Sequence, residues 1–148
     1  MRQRLRRCVG VGCVAAAVTA CGSDPVAVDP AVAPFVGTWD AVAFTVTGDA
    51  PPNTVADLLT LGSFWISIEP SGQYTATLEW LGGFAELGHL TVQSTSSLTL
   101  DPSNGPPAPS TYVFATADSL ILDGATEFDF NGDQTDEPAQ AHIELLRR

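Results

Sequence analysis

The chain has 148 residues, with 17 Asp and Glu against six Arg, and carries a formal charge of −11. So acidic a chain excludes nucleic acid as a partner, because phosphate backbones are gripped by basic patches, and it disfavours docking on an anionic lipid surface by charge. Hydrophobic residues make up 45 %, too many for a chain that stays disordered overall, and one domain with a proper core fits the length.

The first seven residues carry four arginines, and Cys8 to Val18 are small, apolar and uncharged. That run is too short for a spanning helix, which needs about 20 residues, and suits the apolar region of a secretion signal. It ends Val18-Thr19-Ala20-Cys21, and the chain turns polar at Gly22-Ser23-Asp24. Small residues before a Cys placed this way resemble the lipobox of bacterial lipoproteins. The resemblance implies that residues 1–20 are cleaved, that Cys21 takes a diacylglyceryl group, and that the protein is tied to the membrane of the cell envelope. With Gly22 and not Asp in second place, it implies the outer membrane where a cell has two. Ordinary signal cleavage leaving a free Cys21, or an uncleaved anchor, are the competing readings. Cys8 and Cys13 leave with the signal, so the remaining chain has one Cys and no internal disulfide. Beyond Cys21, only Arg147 and Arg148 stand against all 17 acids, a self-repelling balance that favours a monomer.

Residues 21–34 hold three prolines and no large side chain, and read as an extended tether. From Phe35 to Arg148 the pattern is strand, turn, strand. Trp39–Val46 is rich in β-formers. Phe64–Glu69 alternates up to a Pro70-Ser71-Gly72 turn, and Tyr74, Ala76, Leu78 and Trp80 alternate with polar residues. Further short strands follow at Leu90–Gln93, Leu98–Leu100, Tyr112–Ala115, Leu120–Leu122 and Gln140–Leu146, with a proline-rich loop over 101–110. One segment differs: Asn53 to Gly62 begins with a capping residue, spaces Val55, Leu58 and Leu59 helically and stops at Gly, which predicts a short helix after the first strand. Eight strands joined by short connections predict an all-β, antiparallel up-and-down barrel, with a two-sheet sandwich as the alternative.

Gly37-Thr38-Trp39, at the head of the first strand, resembles the Gly-X-Trp signature of the lipocalin and fatty-acid-binding superfamily, and the whole of 35–148 is similar to small bacterial lipocalin-like lipoproteins. The resemblance implies that Trp39 packs across the closed end of the barrel beneath an Arg from near the C-terminus, for which Arg147 or Arg148 is available. The two-cysteine clamp of many lipocalins is missing, and ligand-binding positions do not carry over.

No catalytic set assembles. His89 and His142 fall on different strands, and no nucleophile elbow, zinc-protease helix or phosphate loop occurs, so the chain reads as a non-enzyme. The one cluster of note is Asp129, Asn131, Asp133, Thr135 and Glu137, oxygen ligands at alternate positions around Gly132, as calcium needs. Gln134 stands where an EF-hand loop has its turn Gly, and an acidic hairpin loop with Asp and Asn capping the turn is the plainer reading. Trp65, Trp80, Phe44, Phe64, Phe84, Tyr74 and Phe114 either line a cavity or fill a solid core. Two functions follow: a lipid-anchored envelope protein taking a small apolar ligand in its barrel, or a solid barrel acting through its loops as an interaction or inhibitor module.

Overall fold

The computed structural model describes residues 28–79 and 83–148. The leader over 1–20, Cys21, the tether up to residue 27, and Trp80 lie outside the described residues.

Nine strands follow one another: β1 (Gly37–Gly48), β2 (Val55–Asp57), β3 (Phe64–Ile68), β4 (Gln73–Leu78), β5 (Phe84–Val92), β6 (Ser97–Pro102), β7 (Ala108–Thr116), β8 (Ser119–Phe128) and β9 (Glu137–Arg147). From β3 to β9 each strand pairs antiparallel with the next. The sheet closes where β1 pairs with β9, from Trp39 opposite Arg147 to Gly48 opposite Ala139. The other edge of β1 is shared: Gly37–Asp40 meets β3 and Thr45–Thr47 meets the stub β2. Eight strands therefore form a closed antiparallel up-and-down barrel, as expected, and the sandwich alternative is set aside. Closure leaves no long edge open to another chain.

The predicted helix over 53–62 does not form as one element. Val55–Asp57 extends along β1, and only Leu58–Thr60 makes a 3₁₀ turn, where the Asp57 carboxylate accepts the Leu59 N–H at 3.0 Å. β-Branched Val55 favours the extended backbone. An apolar triplet at helical spacing needs a whole buried face, and only Leu58 is buried, while Val55 lies exposed.

The register gives the barrel two ends. Gly37, Ile68, Val92, Leu120 and Leu145 lie toward one, and Gly48, Phe64, Leu78, Phe84, Ala108 and Phe128 toward the other. The end of the expected tether belongs to the first. Asp29 to Phe35 coils through turns closed by the Val32, Ala33 and Phe35 N–H groups, and Val32 and Phe35 are buried in the main core. An extended spacer thus stops short of residue 29, because two apolar side chains there gain burial that solvent would deny them. With them pack Trp39, Ile66, Ile68, Leu90, Leu98, Leu120 and Leu145. A smaller cluster of Val46, Leu58 and Ala139 lies toward the other end, with Phe44, Phe128 and Phe130 against it.

Candidate functional site

The closed end is built on Trp39, which is fully buried and donates its indole N–H to the Phe35 carbonyl at 2.7 Å. Arg147 lies over its ring, with the guanidinium carbon 4.0 Å from the centroid. The same guanidinium donates to the carbonyls of Val36, Pro34 and Ala117 and pairs with Asp118 at 3.1 Å. One side chain thus ties the plug, β1 and the β7–β8 turn together. Gly37 sits at φ +129°, and a Cβ there would stand 2.9 Å from Arg147 Nη1, so backbone conformation and close approach both ask for glycine. Arg148 takes no part. It pairs with Asp40 outside the wall and lies 6.0 Å from the Trp65 ring, so Trp65 faces outward and lines no cavity.

The other end is not solid. A cavity of about 310 Å³ lies inside the barrel mouth, at the small end of the range for ligand sites. Phe44, Leu58, Phe64, Ile66, Tyr74, Leu78, Phe84, Leu100, Leu122 and Ile143 give it an apolar wall, and Ala76, Ala108, Gly124 and Ala141 leave the room. The interior is therefore filled at one end and open at the other. Of the aromatic residues read as cavity or core, Phe44, Phe64, Tyr74 and Phe84 line this space, whereas Phe114 packs at the closed end against Phe35 and Trp39.

One charged side chain lines the cavity. Glu86 of β5 points inward, and the Tyr74 hydroxyl donates to its Oε1 at 3.0 Å. Burial, and then that hydrogen bond, push the Tyr74 phenol well above its ordinary value, so it stays a donor at any physiological pH. Gly88 makes the pairing feasible. A Cβ there would run into the Tyr74 ring and stand 2.6 Å from the Asp101 carbonyl. The sequence reading passed over Glu86, because the fifth strand was taken to begin at Leu90. Stepping back from Leu90 in twos leads to Gly88, Glu86 and Phe84 on the same inward face.

The acidic loop between β8 and β9 brings the Asp129, Asp133 and Glu137 carboxylates within 4.8 Å of one another. Asp129 also caps the turn. Its Oδ2 accepts the Gln134 N–H at 2.8 Å, and its Oδ1 accepts those of Asn131, Gly132 and Asp133, which holds its carboxyl below the usual range. Asp133 accepts the Thr135 N–H, and Glu137 accepts from Phe130 N–H and the Asn131 amide. Asn131 and Thr135 enter the loop's own bonding through these contacts. His89 and His142 both face outward. His142 pairs with Asp123 at 2.6 Å and Glu144 at 3.3 Å, and His89 lies against the Ser71 carbonyl.

No protein-family model and no curated protein matches the chain. Solved structures do. A redesigned β-barrel, b11L5F_LGL, aligns with TM-score 0.52 at 14 % identity over 82 % of this chain and 98 % of its own. EF1p2_mFAP2b bound to DFHBI aligns with TM-score 0.51 at 16 % identity over 80 % and 97 %. Lobster apocrustacyanin A1 aligns at TM-score 0.45 and 15 % identity, over 78 % of this chain and 62 % of its own. At these identities the first two show a shared fold, the closed antiparallel barrel, and nothing of activity.

Proposed function

We propose that the protein is a lipid-anchored cell-envelope module that binds a small apolar molecule in its barrel. The observation that carries the binding is the cavity at the mouth, apolar all round except for Tyr74, Glu86 and the Ser110 and Thr126 hydroxyls. A concave apolar site with a few fixed polar groups is the common form of a small-molecule site. That a barrel of the same architecture has been solved bound to DFHBI supports the reading. The anchor rests on the run Val18-Thr19-Ala20-Cys21. A diacylglyceryl anchor on Cys21, followed by a proline-rich spacer, would keep the mouth free in solution.

Two measurements test it. Mass spectrometry of the protein from a bacterial envelope is expected to find an acylated Cys21 at the N-terminus, and an unmodified Cys21 or a retained residue 1 refutes the anchor. The C21S protein, whose own lipid cannot fill the cavity, is expected to raise the fluorescence of the neutral probe N-phenyl-1-naphthylamine in a saturable way with one site. No saturable signal refutes the cavity as a binding site.

A further inference from the structure

The cavity contains one feature that an apolar ligand alone does not use. Glu86 stands inside a wall of apolar side chains, and among the described residues no cation faces it. Arg147 is bound to the closed end and Arg148 to Asp40 outside the wall. His89 and His142 lie on the outer face, His142 already between Asp123 and Glu144. The chain has no Lys. Tyr74 meets Oε1 only, and no described donor meets Oε2. A carboxylate placed among apolar side chains without a partner is costly to maintain. The Tyr74 hydroxyl fixes its direction without neutralising it.

Resting on the proposed cavity function, we infer that the ligand is a cationic amphiphile: an apolar body that fills the mouth of the barrel and an ammonium group that pairs with Glu86 Oε2. The apolar lining would take a short alkyl chain or a single ring. The amine would supply the missing counter-charge, and an N–H donor from it would complete a carboxylate already held by Tyr74. The loops around the mouth carry Asp49, Asp129, Asp133 and Asp136 and no basic residue among those described. The field there draws cations in and repels carboxylates such as fatty acids.

The test uses three ligands of equal chain length, octylamine, 1-octanol and octanoate, to displace N-phenyl-1-naphthylamine from the C21S protein. A charge-assisted hydrogen bond over a neutral contact is expected to make octylamine about 10- to 100-fold more effective than octanol, with octanoate weakest. In E86Q the advantage of octylamine over octanol, measured within that variant, is expected to disappear, whatever the substitution does to the affinity of the probe itself. Probe binding with octanol or octanoate equal to octylamine overturns the cationic preference and leaves the apolar cavity standing. An amine advantage that persists in E86Q overturns the assignment to Glu86 and points to the general acidity of the mouth. If the probe does not bind at all, the cavity function itself fails, and the inference with it. Should E86Q not fold, the amine advantage is read in the unsubstituted barrel at about 1 M salt, where attraction to the exposed acids of the mouth is screened while a pair with Glu86 inside the cavity persists; loss of the advantage there overturns the assignment to Glu86.

Discussion

Arg147→Ala removes one side chain and disturbs five contacts at once. The cation over the buried Trp39 ring contributes about 1–2 kcal/mol at a largely desolvated site. The carbonyls of Val36 and Pro34 lose a charged donor; the half-buried Val36 carbonyl, left short of a partner, costs about 1 kcal/mol, while the exposed Pro34 carbonyl turns to water. The ion pair with Asp118 adds little, because Asp118 is 75 % exposed and exposed pairs are worth about 0–1 kcal/mol. Together these give about 2–4 kcal/mol. For a domain of this size that corresponds to a fall in melting temperature of about 8–15 °C. Thermal unfolding followed by near-ultraviolet circular dichroism reads both the loss and the loosening of Trp39. Arg147→Lys is expected to recover only part of the stability, since an ammonium cannot reach three carbonyls and an aspartate from one plane. A melting temperature for R147A within about 2 °C of the unsubstituted barrel would refute the account of the closed end. Gly37→Ala offers a cross-check. Its Cβ meets Arg147 Nη1 at 2.9 Å, so its cost is expected to be smaller in the R147A background, with the strain of φ +129° remaining in both.

Ala108 faces the cavity but belongs to neither core cluster. Ala108→Leu is expected to weaken N-phenyl-1-naphthylamine binding by about tenfold or more while changing stability by less than about 1.5 kcal/mol; unchanged binding would place the probe elsewhere. The hydrogen bond to Asp123 first, and then Glu144, raise the pKa of His142 above its ordinary value. A raised value stabilises the fold below the ordinary value of about 6.5 and loses that contribution as pH rises through the folded value. The melting temperature of the unsubstituted protein is therefore expected to exceed that of D123N most in mild acid, with the gap closing toward alkaline pH; a gap that widens instead refutes the pairing. Asp129 is shifted the other way, chiefly by the Gln134 N–H. Its contribution is present above the ordinary Asp value and lost as pH falls through the lowered one, so D129N is expected to flatten the acid limb of the stability profile. The same loop offers calcium its oxygens. With a Kd of about 0.1 mM, about 1 mM calcium would add about 1.4 kcal/mol by mass action, and an unmoved melting temperature at that concentration leaves the loop a self-bonded turn.

The architecture was legible because period-two alternation survives wherever a strand lies over the solid core. Ile66 and Ile68 face inward to the packed core with Ser67 between them, as the pattern required. The pattern faded where the interior is not packed. Glu86 and Gly88 occupy inward positions of β5, and neither reads as apolar, so the pattern places the start of the strand at Leu90, six residues late. Gly88 is there for the Tyr74 ring and Glu86 for its hydroxyl, and such reasons lie in contacts between strands that a local pattern does not contain. Pro102 and Pro109 suggested a loop over 101–110. Both lie within strands near a loop that shrinks to residues 103–107, with Pro109 opposite Thr99 and Pro102 opposite Gly88, near strand ends where a missing donor is tolerated. The plug formed by Val32 and Phe35 was hidden among prolines and alanines. Its signal is only that Phe35, the first large apolar residue beyond the leader, comes four residues before Trp39.

The cavity itself is written in the sizes of the inward residues. Along β7 they run Ala108, Ser110, Tyr112, Phe114 from the mouth to the closed end. Along β9 they run Ala139, Ala141, Ile143, Leu145 in the same direction. On β8, which runs the other way, Leu120 and Leu122 give way to Gly124 and Thr126. Three adjacent strands thus taper together, large below and small above, and a barrel of constant width cannot be filled by side chains that shrink along its axis. The unfilled volume appears where they are smallest, facing Glu86 across the barrel. The closed half then carries the stability. Truncating a large residue there, Trp39 or Leu120, opens a hole in a packed interior and costs about 3–5 kcal/mol, whereas the mouth gains or loses a methyl group against space already empty. A molecule built this way can alter what its mouth accepts without endangering its fold, because the small residues that leave the cavity open, Ala108 and Gly124, are not those that hold the barrel shut, Phe35, Trp39 and Arg147.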